Sequence, residues 1–263
     1  MILAIDVGNT NIEFGVYDSA ISIDGGARLI ASFRMTTRHQ ITSDEIGLLI
    51  IQFLSAKQIN PAQIDSACVV SVVPHVMHSL GSACVKYLGV TPRVFGADIK
   101  SPYKNLCKNP AEVGADRIVN AYSAFTKYGG DRPLLIVDFG TATTFDVCDV
   151  NGNYLGGLIY PGVKLSMEIL SESAALLPKI ELALPETVIG KDTVSGMQSG
   201  IFRGYAGVIK NIAEEIRSEL GAEILTCIAT GGFSAFIGNF VGIFTAIDKT
   251  LTLDGIVSLS NEK

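Results

Sequence analysis

The 263-residue chain contains no tryptophan, three histidines and five cysteines, and only 17% of its residues are charged. Each shortage excludes something. The cysteines (Cys68, Cys84, Cys107, Cys148 and Cys227) show no C-x-x-C spacing, which removes the common zinc and redox motifs. Most lie in apolar runs and read as small core residues, so disulfides are not expected. His75 and His78 have no carboxylate or cysteine at ligand spacing and read as solvated helix residues. No run of about 18 apolar residues occurs, so no membrane-spanning helix is expected. The opening residues show no basic region or cleavage-site pattern, and a cytoplasmic location is expected. A formal net charge of −6 disfavours a nucleic-acid surface, which needs a basic patch. A G-x-x-x-x-G-K-[ST] loop is missing too, so phosphate is not held in that way.

What is present is 48% hydrophobic residues, enough for a sizeable core in one large domain or two modest ones. The organising stretch is Leu3-Ala4-Ile5-Asp6-Val7-Gly8-Asn9-Thr10. Its apolar residues predict a buried strand with Asp6 near the end, and Ile12, Phe14 and Val16 alternate as a second strand after the turn. Glycine lets backbone N–H groups approach a ligand, Thr10 adds a hydroxyl, and Asp6 can grip a divalent cation. A single Asp-x-Gly turn is weak evidence, because many hairpins carry one for backbone reasons. Leu134-Leu135-Ile136-Val137-Asp138-Phe139-Gly140-Thr141 repeats it about half a chain later, again followed by an alternating strand. Two such copies point to a duplicated domain.

The pair resembles the actin/Hsp70/sugar-kinase superfamily, in which ATP lies between two related halves. The wording Asp6-Val-Gly-Asn-Thr10 with Asp138-Phe-Gly-Thr-Ala-Thr143 resembles type III pantothenate kinases in particular. The resemblance continues through Ser71-Val-Val-Pro74, Gly114-Ala-Asp-Arg117, Gly156-Gly157, Pro161-Gly162, Asp192-Thr193 and Thr230-Gly-Gly232, nearly the whole chain. It implies an α/β fold of two actin-like (ribonuclease H-like) ATPase domains, each a mixed sheet flanked by helices. Gly129-Gly130-Asp131-Arg132-Pro133 is the clearest linker, giving expected domains 1–130 and 131–263.

Along the chain, Ser43-Asp44-Glu45 is expected to cap a helix, and Pro74 to open another. A third strand near 28–34 follows a polar turn at Asp24-Gly25-Gly26. Asn109-Pro110-Ala111-Glu112 predicts the start of a helix running to about Tyr128, with Gly114 inside it and Asp116, Arg117 and Asn120 on a polar side. Further helices are expected from Val163 to Leu177, from Thr193 to about Leu220, and from about Leu253 to close the second half. Strands are expected at 224–229 and 243–245.

For chemistry, the resemblance implies ATP-dependent phosphorylation of pantothenate, the first step toward coenzyme A. It assigns Asp6, Val7, Gly8, Asn9, Thr10, Asn11, Ile12 and Glu13 to ATP phosphate, with Asp6 also on Mg²⁺. Thr141 is assigned to ATP, and Asp138 to a monovalent cation (K⁺ or NH₄⁺). Asp116 is assigned as the base within the pantothenate-binding Gly114, Ala115, Asp116 and Arg117, while Thr193 reaches pantothenate across a homodimer interface. Family members commonly carry tyrosine nine residues before that aspartate, where this chain has Cys107. Two alternatives stand beside this reading: a sugar or polyol kinase of the same superfamily, and a non-catalytic transcriptional accessory homologue.

Overall fold

The structure, a computed structural model, describes residues 1–18 and 27–262, so the turn expected at Asp24-Gly25-Gly26 lies outside the described residues. By packing, the chain forms two units that interleave along the sequence. One comprises Met1–Lys104, Lys108–Ser123 and Thr250–Lys263; the other comprises Asn105–Cys107 and Ala124–Lys249. These differ from the contiguous halves 1–130 and 131–263, chiefly because the end of the chain packs with its beginning.

The first unit is built on β1 (Ile2–Val7), β2 (Asn11–Asp18) and β3 (Arg28–Thr36), an antiparallel meander. Strands β4 (Ser66–Ser71) and β5 (Arg93–Val94) join it in parallel, in the order β3-β2-β1-β4-β5. Strand alternation sends Leu3, Ile5 and Val7 to one face. There they meet Ile46, Ile50 and Leu54 of α1 (Ser43–Ala56) and Val76, Leu80 and Cys84 of α2 (Pro74–Leu88). Ile2, Ala4, Cys68 and Val70 go to the other face, against Val119 and Tyr122 of α3 (Ala115–Tyr128).

The second unit repeats the plan. Strands β6 (Leu134–Phe139), β7 (Ala142–Cys148) and β8 (Tyr154–Pro161) form the meander. Strands β9 (Thr226–Gly231) and β10 (Ala246–Ile247) add in parallel, in the order β10-β9-β6-β7-β8. Helices α4 (Val163–Ser173), α5 (Thr193–Glu219) and α6 (Ser234–Val241) supply Met167, Phe202, Ile209 and Ile237 to the core over Leu135, Val137 and Phe145. Each sheet is therefore a three-strand meander whose first strand pairs in parallel with a fourth.

Helix α7 (Leu251–Asn261) does not complete the second half as expected. Leu253, Ile256, Val257 and Leu259 pack on Ile2, Ala4 and Val70 of the first unit. Gly255 allows it to press against Val119 and Ser123, where a Cβ would come within 2.9 Å and 2.8 Å of their atoms. Polar groups tie it down as well. Tyr17 donates to Asp254, Tyr122 to Glu262, and Thr252 Oγ1 to Asn120 Oδ1 at 2.7 Å. Asn120, expected on a polar side, is therefore 1% exposed and bonded in the core.

Other boundaries moved for identifiable reasons. The cap of α1 is Thr42, not Ser43, because Thr42 and Glu45 exchange side-chain and backbone bonds as a capping box. The helix expected from Pro110 starts at Ala115. Pro110–Glu112 make only one 3₁₀ turn, Asn109 bonds the Glu112 side chain, and Val113 is extended. Helix α4 stops at Ser173 short of Leu177; Leu176 is 92% exposed, so nothing draws the helix onward. Strand β9 lies at Thr226–Gly231, not 224–229, and β10 at Ala246–Ile247, not 243–245; pairing of Leu134 with Thr226 and Ala246 with Ile228 sets both.

Candidate active site

Strands β1 and β6 share one burial pattern: four buried residues, a half-buried aspartate and one more buried residue. The apolar run needs a covered central position, and the aspartate is its first side chain to reach the strand end. In the first unit Asp6 follows Ile2 and Ala4 on the face covered by α3 and α7. The turn after it closes by a Gly8 N–H to Asn11 C=O bond of 3.0 Å. Gly8 suits this position, since a Cβ would stand a tight 3.2 Å from the Asn11 oxygen. Asn9 and Thr10 form the exposed tip.

Asp6 pairs in register with Glu13 of β2, so two carboxylates stand opposite on one face. Such a pair is unfavourable without positive charge nearby. Arg34 supplies some, 3.2 Å from Glu13. Among the described residues no cluster of three or more His, Cys, Asp or Glu could hold a metal. The donors present are thus two hard carboxylates, a set that fits Mg²⁺ completed by phosphate and water.

Asp138 has different neighbours. Its register partners are Thr144 of β7 and Thr230 of β9, giving one carboxylate flanked by hydroxyl-bearing residues. Thr144 Oγ1 in turn donates to the buried Asp146 at 3.1 Å, so a second carboxylate stands two residues along the same face, and the set is made of oxygens that suit a hard cation. Two glycines let the backbone close around this turn. Gly231, at φ +88°, lies where any side chain would overlap the Asp138 carboxylate. Gly162 passes so near the Thr141 carbonyl that a Cβ there would collide with it. Thr141 itself is exposed.

The Gly114–Arg117 segment belongs to the first unit. Val72, just beyond β4, donates its N–H to Val7 C=O at 3.1 Å, tying together the ends of β4 and β1. A Cβ on Gly114 would stand 3.6 Å from Val72 Cγ1 and within 2.5 Å of Asp116 Oδ1. Gly114 therefore precedes α3 rather than lying inside it, and its bare backbone lets Asp116 fold back at the strand ends. Asp116 starts the helix whose Val119 covers the face carrying Asp6. Burial pushes its carboxyl above the ordinary carboxylate value, against the opposing pull of the Arg117 N–H, 2.8 Å from Oδ1, and the Arg117 charge. The loss of hydration outweighs the hydrogen bond and the guanidinium together, as expected when a carboxylate sits among apolar neighbours.

Thr193 stands in the second unit, exposed at the first position of α5 behind the capping residue Asp192, which exchanges bonds with Ser195. Cys107 is also in the second unit, its sulfur 3.7 Å from where a Cβ on Gly156 would stand. The sequence reading passed over Thr144, Thr230 and Glu13 as partners of the two aspartates. Counting register outward from each Asp-x-Gly turn reaches Glu13 and Thr144, although the first turn is one residue longer than the second; Thr230 lies on the parallel strand β9, which no local count reaches.

The family model for type III pantothenate kinase matches residues 2–215. A type III pantothenate kinase from Agathobacter rectalis is 43% identical over 256 residues, covering 97% of this chain and 95% of that protein. One from Paramagnetospirillum magneticum is 42% identical over 260 residues, covering 98% and 96%. The chain belongs to the type III pantothenate kinase family. Among solved structures, an archaeal actin homologue aligns with a TM-score of 0.51 at 14% identity, covering 100% of this chain and 99% of that one. At that identity it shows the fold alone: duplicated actin-like domains, each a mixed sheet flanked by helices. Among the described residues no helix is long and apolar enough to cross a membrane.

The raised carboxyl of Asp116 has a consequence for stability. A group whose folded value is raised adds its full stability below the ordinary carboxylate pKa of about 4 and loses it as pH rises through the folded value. Asp116→Asn is therefore expected to be more stable than the wild type at about pH 8, with the gain vanishing below about pH 4. Denaturant midpoints measured across pH test this, and equal midpoints at about pH 8 would show that the buried charge has no net cost.

Proposed function

We propose that this protein transfers the γ-phosphoryl group of ATP to the 4′-hydroxyl of pantothenate, giving ADP and 4′-phosphopantothenate for coenzyme A synthesis. Family membership supports the reaction, and one observation carries the residue assignment. The burial-raised carboxylate of Asp116 folds back beside Gly114, which lies against Val72 just beyond β4, on the helix that covers the Asp6 face.

In this reading Asp116 accepts the hydroxyl proton. The freed oxygen attacks the γ-phosphorus, and the bond to the bridging oxygen of ADP breaks. A raised carboxylate is a better proton acceptor than an ordinary one, which suits a general base. Gly114, Ala115 and Arg117 line the pantothenate subsite, where the Arg117 guanidinium can meet the substrate carboxylate with paired donors. Residues Asp6 to Glu13 take ATP phosphates on the turn, and Thr141 adds a contact from the second copy. Asp6 and Glu13 would hold Mg²⁺, which neutralises phosphate charge when bound. Asp138, with Thr144 and Thr230, would hold K⁺ or NH₄⁺. The shared strand order supports reading 1–130 and 131–263 as two copies of one unit, with α7 added to the first. The working location is the cytoplasm.

The same reading makes the protein a homodimer in which Thr193 completes the partner's pantothenate site. Two features of the second unit support it. Gly196, Gly200, Gly204 and Gly207 of α5 each have open space where a Cβ would stand. Ile159, Leu176, Val188 and Ile189, all before that helix in sequence, are 65–92% exposed. Exposed aliphatic side chains and a small-residue helix face together favour close association with a second copy.

Asp116→Asn is expected to lower kcat by roughly 10²–10⁴-fold while nucleotide binding is largely kept. Coupled ADP release with pantothenate, with glycerol and with neither measures this; activity within a few-fold of wild type would dismiss Asp116 as base. Replacing Na⁺ by K⁺ or NH₄⁺ should raise wild-type turnover, and Asp138→Asn should lose the response. Equal wild-type rates in Na⁺ and K⁺ would remove the cation assignment. Finally, Asp116→Asn co-expressed with a bulky substitution at Thr193 should recover up to about a quarter of wild-type activity, since random pairing leaves one intact site in each mixed dimer. Mixed dimers of confirmed mass without recovery would mean that each subunit builds its own site.

A further inference from the structure

Thr37 belongs to none of the motifs above, yet it holds the first turn from behind. Its Oγ1 donates to the Gly8 carbonyl at 2.6 Å, and its backbone N–H donates to the Thr10 carbonyl at 2.9 Å. Two of the turn's peptide planes are thus fixed by one residue. A trans peptide points its N–H opposite to its C=O. With the Gly8 and Thr10 oxygens drawn toward Thr37, the N–H groups of Asn9 and Asn11 are directed away from it. Two turn N–H groups turned away from the same anchor can converge on an anion.

The mount is stiff on both sides. Four residues before Thr37, β3 is anchored by Phe33, whose ring stacks on Phe14 at 4.4 Å and on Phe53 of α1 at 4.0 Å. Five residues after Thr37, Thr42 and Glu45 lock the start of α1 as a capping box. The exposed Arg38–Glu45 pair at 3.6 Å adds little, as such surface pairs do. The connection between those anchors is too short to let Thr37 drift.

We infer that Thr37 is a positioning residue for the phosphoryl donor, acting through the Gly8–Asn9 and Thr10–Asn11 peptides. This rests on the reading of residues 6–13 as the ATP phosphate turn. The hydroxyl supplies orientation, and the neighbouring backbone bond survives any substitution other than proline.

The test is ADP and ATP affinity by titration calorimetry, with kinetics and thermal midpoints, for Thr37→Val, Thr37→Ser and Asp6→Asn. Valine keeps the size and β-branching and removes the hydroxyl. Nucleotide Kd is expected to rise about five- to tenfold in Thr37→Val and to stay within about twofold of wild type in Thr37→Ser, as loss of one hydrogen bond implies. The KM for pantothenate at saturating ATP and the thermal midpoint should stay near wild type. Wild-type nucleotide affinity in Thr37→Val alongside weakened Asp6→Asn would overturn the role of Thr37 alone. Unchanged affinity in both would overturn the phosphate reading of the turn. A loss in Thr37→Val that serine fails to restore would also overturn the proposal, since bulk and not the hydroxyl would then be at issue. If Thr37→Val does not fold, Thr37→Ala carries the same comparison.

Discussion

Four consecutive buried residues in a central strand decide where the fifth must stand. In both β1 and β6 that fifth residue is aspartate, and the core leaves it no position except the strand end. Apolar burial of about 25 cal/mol per Å² over each run far exceeds the cost of half-burying one carboxylate, so the core sets the site and not the reverse. The turn glycines, the parallel pairings and the glycine contacts around Asp138 all accommodate that placement. Shifting either strand by one residue would send its aspartate to the opposite face.

From this common frame the two copies diverge through the residues that register brings opposite. Glu13 lies opposite Asp6, whereas Thr144 and Thr230 lie beside Asp138, with the buried Asp146 accepting from Thr144. The duplication thus yields unlike electrostatic sites without changing strand order. Gly231 carries part of this difference, because its φ of +88° and lack of a side chain let β9 pass beside Asp138.

Local patterns reached most of the elements and both aspartates, because burial with period two or 3.6 is written in consecutive residues. They failed where a long-range partner decided. Asn109-Pro110 has the composition of a helix start, but the chain must first turn at Gly114 to bring Asp116 beside Val72. Ser43 and Thr42 are equally good caps by type, and only the reciprocal bond with Glu45 selects Thr42. Nothing in Leu253-Asp254-Gly255-Ile256 says which sheet it will cover; Val119, Ser123 and Tyr17, far away in sequence, determine that. Thr37 went unseen for the same reason, since its partners are carbonyls of another hairpin.

Asp116 shows how these levels meet in one side chain. The base proposed here needs affinity for the proton it takes, and it must also be ionised before it takes it. Full exposure would satisfy only the second need, and deep burial without donors only the first. Here burial raises the carboxyl while the Arg117 N–H and guanidinium hold that rise in check. Gly114 makes the arrangement sterically possible, since its missing side chain is the space that Asp116 Oδ1 fills. The cost in stability is carried by the apolar contacts of Val119 and Tyr122 further along α3, with α7 packed over them. A helix that begins with a desolvated carboxylate continues with the buried run Val119 to Ala124, and that continuation is what allows the carboxylate to stay.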